Sequence, residues 1–271
     1  MSASLPIHVD DHGRAWKLAN LKPAPGLMRR WRTYGDTPDT PLVPRSQWGD
    51  LIAAMDDGWD HPNLPYVHDQ DGVGQCNCDA TAALAEFMRS MQGLEFVKLS
   101  AADLYDRING GGDNGSMLED AMHEMLVRGI GTAATSGLIW HRGMHNAPDS
   151  ERAKFEAFEV FICPTFDHVM SATIKGDGIV SGVDWYDNYK PDGDGWLPTR
   201  GSGGGGGHAV LGYKPAVRNG KFGIRHQNSW TPEWGVGGRC IFPEEMYRGQ
   251  VGGWWALRQM VGDGDTPEPK K

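Results

Sequence analysis

The apolar periodicity of this chain changes character near residue 155, and that change limits the fold more than any other feature. Before it, apolar residues recur with helical spacing. Ala80, Ala83, Leu84, Phe87 and Met91 share one helical face, and Gly93 closes the run. A second helix is expected over 101–108, opened by Ser100 with Asp103 three residues on. A third is expected over about 117–128. There Ser116 and Glu119 form a capping-box pattern, Leu118, Ala121, Met122, Met125 and Leu126 make the apolar stripe, and Gly129 follows. A short fourth helix is expected over 150–157. Beyond it, FEVFICP, HAVLGY, FGIRHQ, RCIF and WWALRQM are short β-like runs separated by glycine-rich loops. Helices first and strands later predict an α+β protein with a helical half and a sheet half.

The 271 residues suffice for one large domain or two modest ones with a real core. Residues 1–45, rich in proline and polar groups, read as an extended arm that straps the two halves. Residues 46–75 continue as loop, and 261–271 read as a flexible tail. A net charge of -9 argues against nucleic acid or an anionic membrane as partner. No apolar run reaches membrane-spanning length, and the first residues lack a signal-peptide pattern. The four cysteines, at 76, 78, 163 and 240, read as reduced thiols in the cytoplasm or another reducing compartment.

Within DQDGVGQCNCDATAALAEF, Cys76 stands where a glycine-bearing loop enters a helix. Unpaired N–H groups and the helix dipole favour a thiolate there, although a small buried cysteine fits the same pattern. A nucleophilic cysteine needs a base and the base needs an orienting group. His208 opens the apolar run HAVLGY, which fits such a base or a satisfied core histidine. Asn228 stands ready to accept an imidazole N–H, with Trp230 two residues on to exclude water. Cys78, the competing thiol, points about 200° away from Cys76 on a helix of 3.6 residues per turn. Neither Cys163 nor Cys240 completes a zinc spacing with Cys76 and Cys78, so no metal is expected. PDGDGW (191–196) lacks the closing Glu of a calcium loop and reads as a solvated turn.

These residues resemble the papain-like (C1) cysteine peptidases, in the manner of a divergent bacterial or phage-type member. His208 lies 132 residues and Asn228 152 residues after Cys76, close to the family's spacing of roughly 130–150. Gln70 precedes Cys76 by six residues, where the family keeps its oxyanion glutamine. NSWxxxWGxxG (228–238) and GGHAVLGY match the asparagine and histidine motifs, and DNGSMLEDAMHEMLVRGI (113–130) resembles the groove segment and its helix. WWALRQM resembles the last strand of bacterial members. The likeness spans about 46–260, with a helical lobe over about 70–150 and a sheet lobe over about 155–260. Departures are present. Val73 replaces the first cysteine of C-G-S-C-W, removing the disulfide anchored there, and Asn77 replaces the aromatic residue after the nucleophile. Thr231-Pro232 interrupts the small residues after Trp230, and residues 1–45 are too short and proline-rich for the family's helical propeptide.

The resemblance implies a two-lobed fold, the second lobe an antiparallel sheet or barrel, with the groove between. It implies a peptide-bond hydrolase needing no cofactor, acting on protein or peptide substrates. Catalytic roles fall to Cys76, His208, Asn228 and Gln70, with Trp230 shielding the imidazole. Asn114, Gly115 and Ser116 would line the substrate backbone. Leu118 and Ala209 would form a hydrophobic pocket for the second residue before the cleaved bond. Two other readings stay open: a papain-fold module that binds without cutting, and an acyl transferase or amidase with the same triad. The run Gly203–Gly207 reads as a mobile loop of low bulk leading into His208, not a domain linker. Nothing in the sequence sets the oligomeric state.

Overall fold

The computed structural model describes residues 7–10, 12–18, 31–55, 58–248 and 253–262. Most of the expected tail, 263–271, lies outside the described residues.

The long helix α2 (Cys76–Met91) organises the molecule. It is buried along almost its whole length. Ala80, Ala83, Leu84, Phe87 and Met88 share one core with helices α3 (Ala101–Ile108) and α4 (Leu118–Val127) and with one face of the sheet. Small alanines let these neighbours approach closely. Gly93, at φ +73°, ends the run in the left-handed region that favours glycine. Ser100 caps α3 as expected, its side chain accepting from the Asp103 N–H at 3.0 Å. The capping box predicted for α4 does not form. Met117 takes the cap position without a side-chain bond, because Ser116 Oγ instead accepts from the buried Asn77 Nδ2 at 3.0 Å. Short helices α5 (Ala133–Ser136) and α6 (Asp149–Arg152) follow. The helix expected over 150–157 therefore stops early. A 3-10 turn covers Ala153–Phe155, and the chain is a strand from Ala157.

The six-stranded antiparallel sheet runs β3 (Ala157–Ile162), β8 (Trp254–Met260), β4 (Gly178–Tyr186), β5 (Gly205–Arg218), β6 (Lys221–Gln227), β7 (Arg239–Pro243). It is open at β3 and β7 and does not close into a barrel. The expected order of helices before strands is corrected within the sheet half. Helix α7 (Phe166–Ile174) lies within the sheet half, covering the face opposite α2. Strand β4 was not separable from its surroundings, because GIVSGVDWY is buried on both faces and lacks alternation. Period-two alternation along β5 sends Ala209, Leu211 and Tyr213 to the α2 core and Val210 to the α7 core.

Two further elements lie where loop was expected. Helix α1 (Arg45–Ala53) buries only Trp48 and Ile52, a stripe too narrow to announce itself. Strands β1 (Ile7–Val9) and β2 (Ala15–Lys17) form a hairpin within the arm. The glycine run is not a loose loop. Gly205, Gly206 and Gly207 are paired in β5 against Tyr186, Trp185 and Asp184. Gly203 has φ +89°, and a Cβ on it would meet Asp187 Oδ2 at 2.7 Å. The Asp187 N–H donates to the Gly204 carbonyl at 3.1 Å and the Gly204 N–H donates to Asp187 Oδ2 at 2.7 Å, closing the turn.

Candidate active site

Cys76 is the first residue of α2 and is fully buried. The loop-to-helix junction is pinned by Gln75, whose Nε2 donates to the Leu138 carbonyl at 2.8 Å and whose Oε1 accepts from the Trp140 N–H at 2.9 Å. Asn77, the departure after the cysteine, donates to Ser116 Oγ and to the Met117 carbonyl at 2.9 Å. It staples the first turn of α2 to the segment before α4. Cys78 faces Ser116 at 3.9 Å, and burial raises its pKa well above the ordinary value, so it stays a thiol. None of the four cysteines is in a disulfide, as Val73 in place of cysteine leads one to expect.

His208 and Asn228, placed by β5 and by the end of β6, meet at 2.7 Å between Nε2 and Oδ1. Trp230 stacks on the imidazole at 4.6 Å between centroids, and Trp185 meets it edge-on at 5.1 Å. Burial in this aromatic box drives the pKa of His208 down to about 3. The Asn228 bond opposes that drop, and His8 adds to it. The other ring nitrogen, Nδ1, is buried without a hydrogen-bond partner.

Gln70 is held from both ends. Its Oε1 accepts from Ser229 Oγ at 2.9 Å and from Trp230 Nε1 at 3.0 Å. Its Nε2 donates to the Val73 carbonyl at 2.8 Å and to the Lys17 carbonyl at 3.0 Å. The side chain is thus fixed with one N–H directed at a peptide carbonyl from the N-terminal arm.

That carbonyl arrives on the β1–β2 hairpin, which sequence reasoning missed. His8 and Trp16 face each other across it and point inward, stacking on Trp230 at 4.9 and 5.7 Å, while Ile7 and Val9 point outward. Asp10 sets the turn by accepting from the N–H groups of His12 and Arg14 and from Trp16 Nε1. Arg14 donates to Thr231 Oγ1 at 2.9 Å. Lys17 Nζ reaches the Asp113 carboxylate. Leu18 is buried. An open cleft of about 730 Å³ remains beside the hairpin, lined by Arg14, Trp16, Asp69, Asp71, Thr231 and Glu233. The alternation of IHV and AWK about Gly13 was the available signal, but three-residue strands are too short to distinguish from loop.

The remaining site residues divide. Asn114 is exposed, whereas Gly115 and Ser116 are buried. The Gly115 N–H donates to the Tyr105 hydroxyl at 2.9 Å. Leu118 and Ala209 lie in the same buried core. Also unforeseen is a buried charge cluster on α2. His68 sits 3.4 Å from Asp79 and 3.1 Å from Glu86. Burial alone would lower its pKa, but the two carboxylates raise it to about 9. Among the described residues no group of three or more His, Cys, Asp or Glu is placed to hold a metal ion, and no helix is long and apolar enough to cross a membrane.

The helical wall and the open antiparallel sheet together give the fold of the papain-like cysteine proteases. Xylellain, a cysteine protease from Xylella fastidiosa, is similar at a TM-score of 0.68 and 20% identity, over 89% of this chain and 96% of that one. A digestive procathepsin L 3 from Tenebrio molitor larval midgut matches at 0.65 and 16% identity, over 89% of this chain and 76% of its own. A procathepsin B from Trypanosoma congolense matches at 0.65 and 15% identity, over 90% and 86% of the two chains. No family model and no curated protein sequence matches this chain.

Proposed function

We propose that this protein is a papain-like cysteine endopeptidase, a thiol protease, held in a covered state by its N-terminal hairpin. Cys76 is the nucleophile and His208 its base, with Nδ1 the nitrogen left to exchange the thiol proton. Asn228 holds the imidazole through Nε2, and Trp230 keeps water from that bond. The thiolate adds to a peptide carbonyl, and the Gln70 amide and the Cys76 N–H hold the oxyanion, a contribution of several kcal/mol in such sites. His208 then protonates the leaving amine, and water hydrolyses the thioester. Asn114, Gly115 and Ser116 line the substrate backbone, and Leu118 with Ala209 backs an apolar pocket.

The observation that carries this reading is the bond from Gln70 Nε2 to the Lys17 carbonyl. A donor positioned for an oxyanion already holds a peptide carbonyl. Its cover also accounts for the neutral His208, since an imidazolium needs a more polar surrounding than the closed site offers. The test is hydrolysis of a peptide library by full-length protein and by a Lys17→Glu variant that sets two carboxylates against each other at Asp113. Cleavage should rise in the variant and vanish with Cys76→Ala. Full activity in the Cys76→Ala protein would refute the assignment.

The complete burial of Cys76 and His208 favours a second reading, a papain-fold module that binds without cutting. Alkylation of Cys76 by a peptidyl vinyl sulfone in the Lys17→Glu protein supports the enzyme. Its absence, with the protein folded, supports the module.

A further inference from the structure

The geometry points to Asp113 as the residue that selects a basic side chain, lysine or arginine, on the substrate residue whose carbonyl enters the oxyanion site. This rests on the peptidase reading above and names its substrate class.

Asp113 stands in the segment before α4, and its two oxygens have different tasks. Oδ1 accepts from the Gly74 N–H at 2.8 Å and from the Tyr105 hydroxyl at 3.0 Å. The first bond ties it to the loop two residues before Cys76. The second ties it to α3, and the same hydroxyl takes the Gly115 N–H, so the carboxylate is fixed to the groove wall. Oδ2 is turned the other way and takes the ammonium of Lys17. Lys17 is also the residue whose carbonyl rests on Gln70 Nε2. One residue therefore spans both points, carbonyl on the oxyanion donor and cation on Asp113. The separation of the two points equals the reach of one long basic side chain. A substrate residue with its carbonyl in the same place brings a lysine or arginine head to the same oxygen. A leucine there leaves Oδ2 without that partner, and a glutamate opposes it. The pair is only partly covered, with side-chain exposures of 38% for Lys17 and 20% for Asp113, so a replacement cation can enter.

The test uses full-length protein carrying Lys17→Glu to weaken the hairpin, with and without Cys76→Ala. In the Cys76→Ala form, fluorescence polarisation measures binding of matched peptides ending in Arg, Lys, Leu or Glu. In the Cys76 form, hydrolysis is followed on matched substrates varied at the residue before the cleaved bond. We expect Arg and Lys peptides to bind about tenfold or more tightly than Leu peptides, the size of one charge-assisted hydrogen bond. Asp113→Asn should bring that ratio close to one. Its Oδ1 can keep both wall bonds, and melting temperature checks that it folds. If it melts early, the ratio among peptides in the parent still decides. Equal binding of Arg and Leu peptides, no binding of any, or an unchanged ratio in a folded Asp113→Asn protein each overturns the inference. Basic-selective binding without any hydrolysis sinks the peptidase reading alone. Hydrolysis without basic selectivity sinks only the role of Asp113.

Discussion

His68 and His208 are both fully buried within a few residues of the same groove, yet they sit at opposite ends of the imidazole range. His68 lies between Asp79 and Glu86 and is held as a cation, its pKa raised to about 9. His208 lies between Trp185 and Trp230, bonds the neutral amide of Asn228, and is driven to about 3. Burial disfavours charge at both sites, so the partner decides. A pair of carboxylates outweighs desolvation, and one amide oxygen does not. The first histidine braces the fold, fixing α2 from the side. The second is held neutral by its aromatic box.

Activity separates the two histidines most strongly. Under the proposed mechanism, His208→Ala should lower peptide hydrolysis by about 10⁴-fold or more, far beyond what its effect on melting temperature accounts for. Steady-state kinetics beside a thermal melt checks this, and equal losses in stability and activity would erase the contrast. His68→Ala should do the reverse. Leaving Asp79 and Glu86 buried without their cation costs about 3–5 kcal/mol, measured by urea unfolding. Loss of activity in the melt-corrected protein should be secondary.

Hairpin variants should move His208 and not His68. Trp16→Ala removes a ring stacked on Trp230 and loosens the carbonyl on Gln70. The rate of Cys76 alkylation by a small reagent should rise about tenfold if the cover is weakened by roughly 1.4 kcal/mol. An unchanged rate would show that β1–β2 does not limit access.

pH separates the two histidines without any substitution. The folded pKa of His68 lies above its ordinary 6.5, so its contribution to stability is complete below that value and is lost as pH rises through about 9. That of His208 lies below 6.5, so the unfolded chain takes up the proton first, and stability declines as pH falls from 6.5 toward 3. Imidazole NMR shifts read this directly. His68 should stay protonated through pH 8, and His208 should stay neutral to about pH 4, values set by those two shifts. His226 shares the acid limb, its pKa also pushed to about 3 by burial, so assigned resonances are needed.

Much of this was legible along the chain, and for local reasons. The periodicity of Ala80 to Met91 is a one-dimensional signal of a buried helix, and Ser100 caps α3 where a short polar side chain precedes an apolar stripe. The order and spacing of Gln70, Cys76, His208 and Asn228 pointed to a papain-like fold before any contact was known. What failed were inferences that needed a partner far along the chain. Ser116 matched a capping box but bonds Asn77, since a buried amide without an acceptor costs more than an uncapped, part-exposed helix end. Asp103 stands three residues after the Ser100 cap as expected, but nothing local announces that its carboxylate binds Arg152 and the N–H groups of Gly131 and Ala147.

The sequence by itself thus determined the class of fold, because helical stripes, turn glycines and motif spacing are set by neighbours in the chain. Only the tertiary structure decided how the site's side chains are charged and what covers them. Strands β1 and β2 are too short to be announced by local pattern, and they pack and bond against the ring face of Trp230 and the amide of Gln70, more than 50 residues away. The charge of a buried histidine is likewise a property of what faces it, and that no stretch of sequence contains.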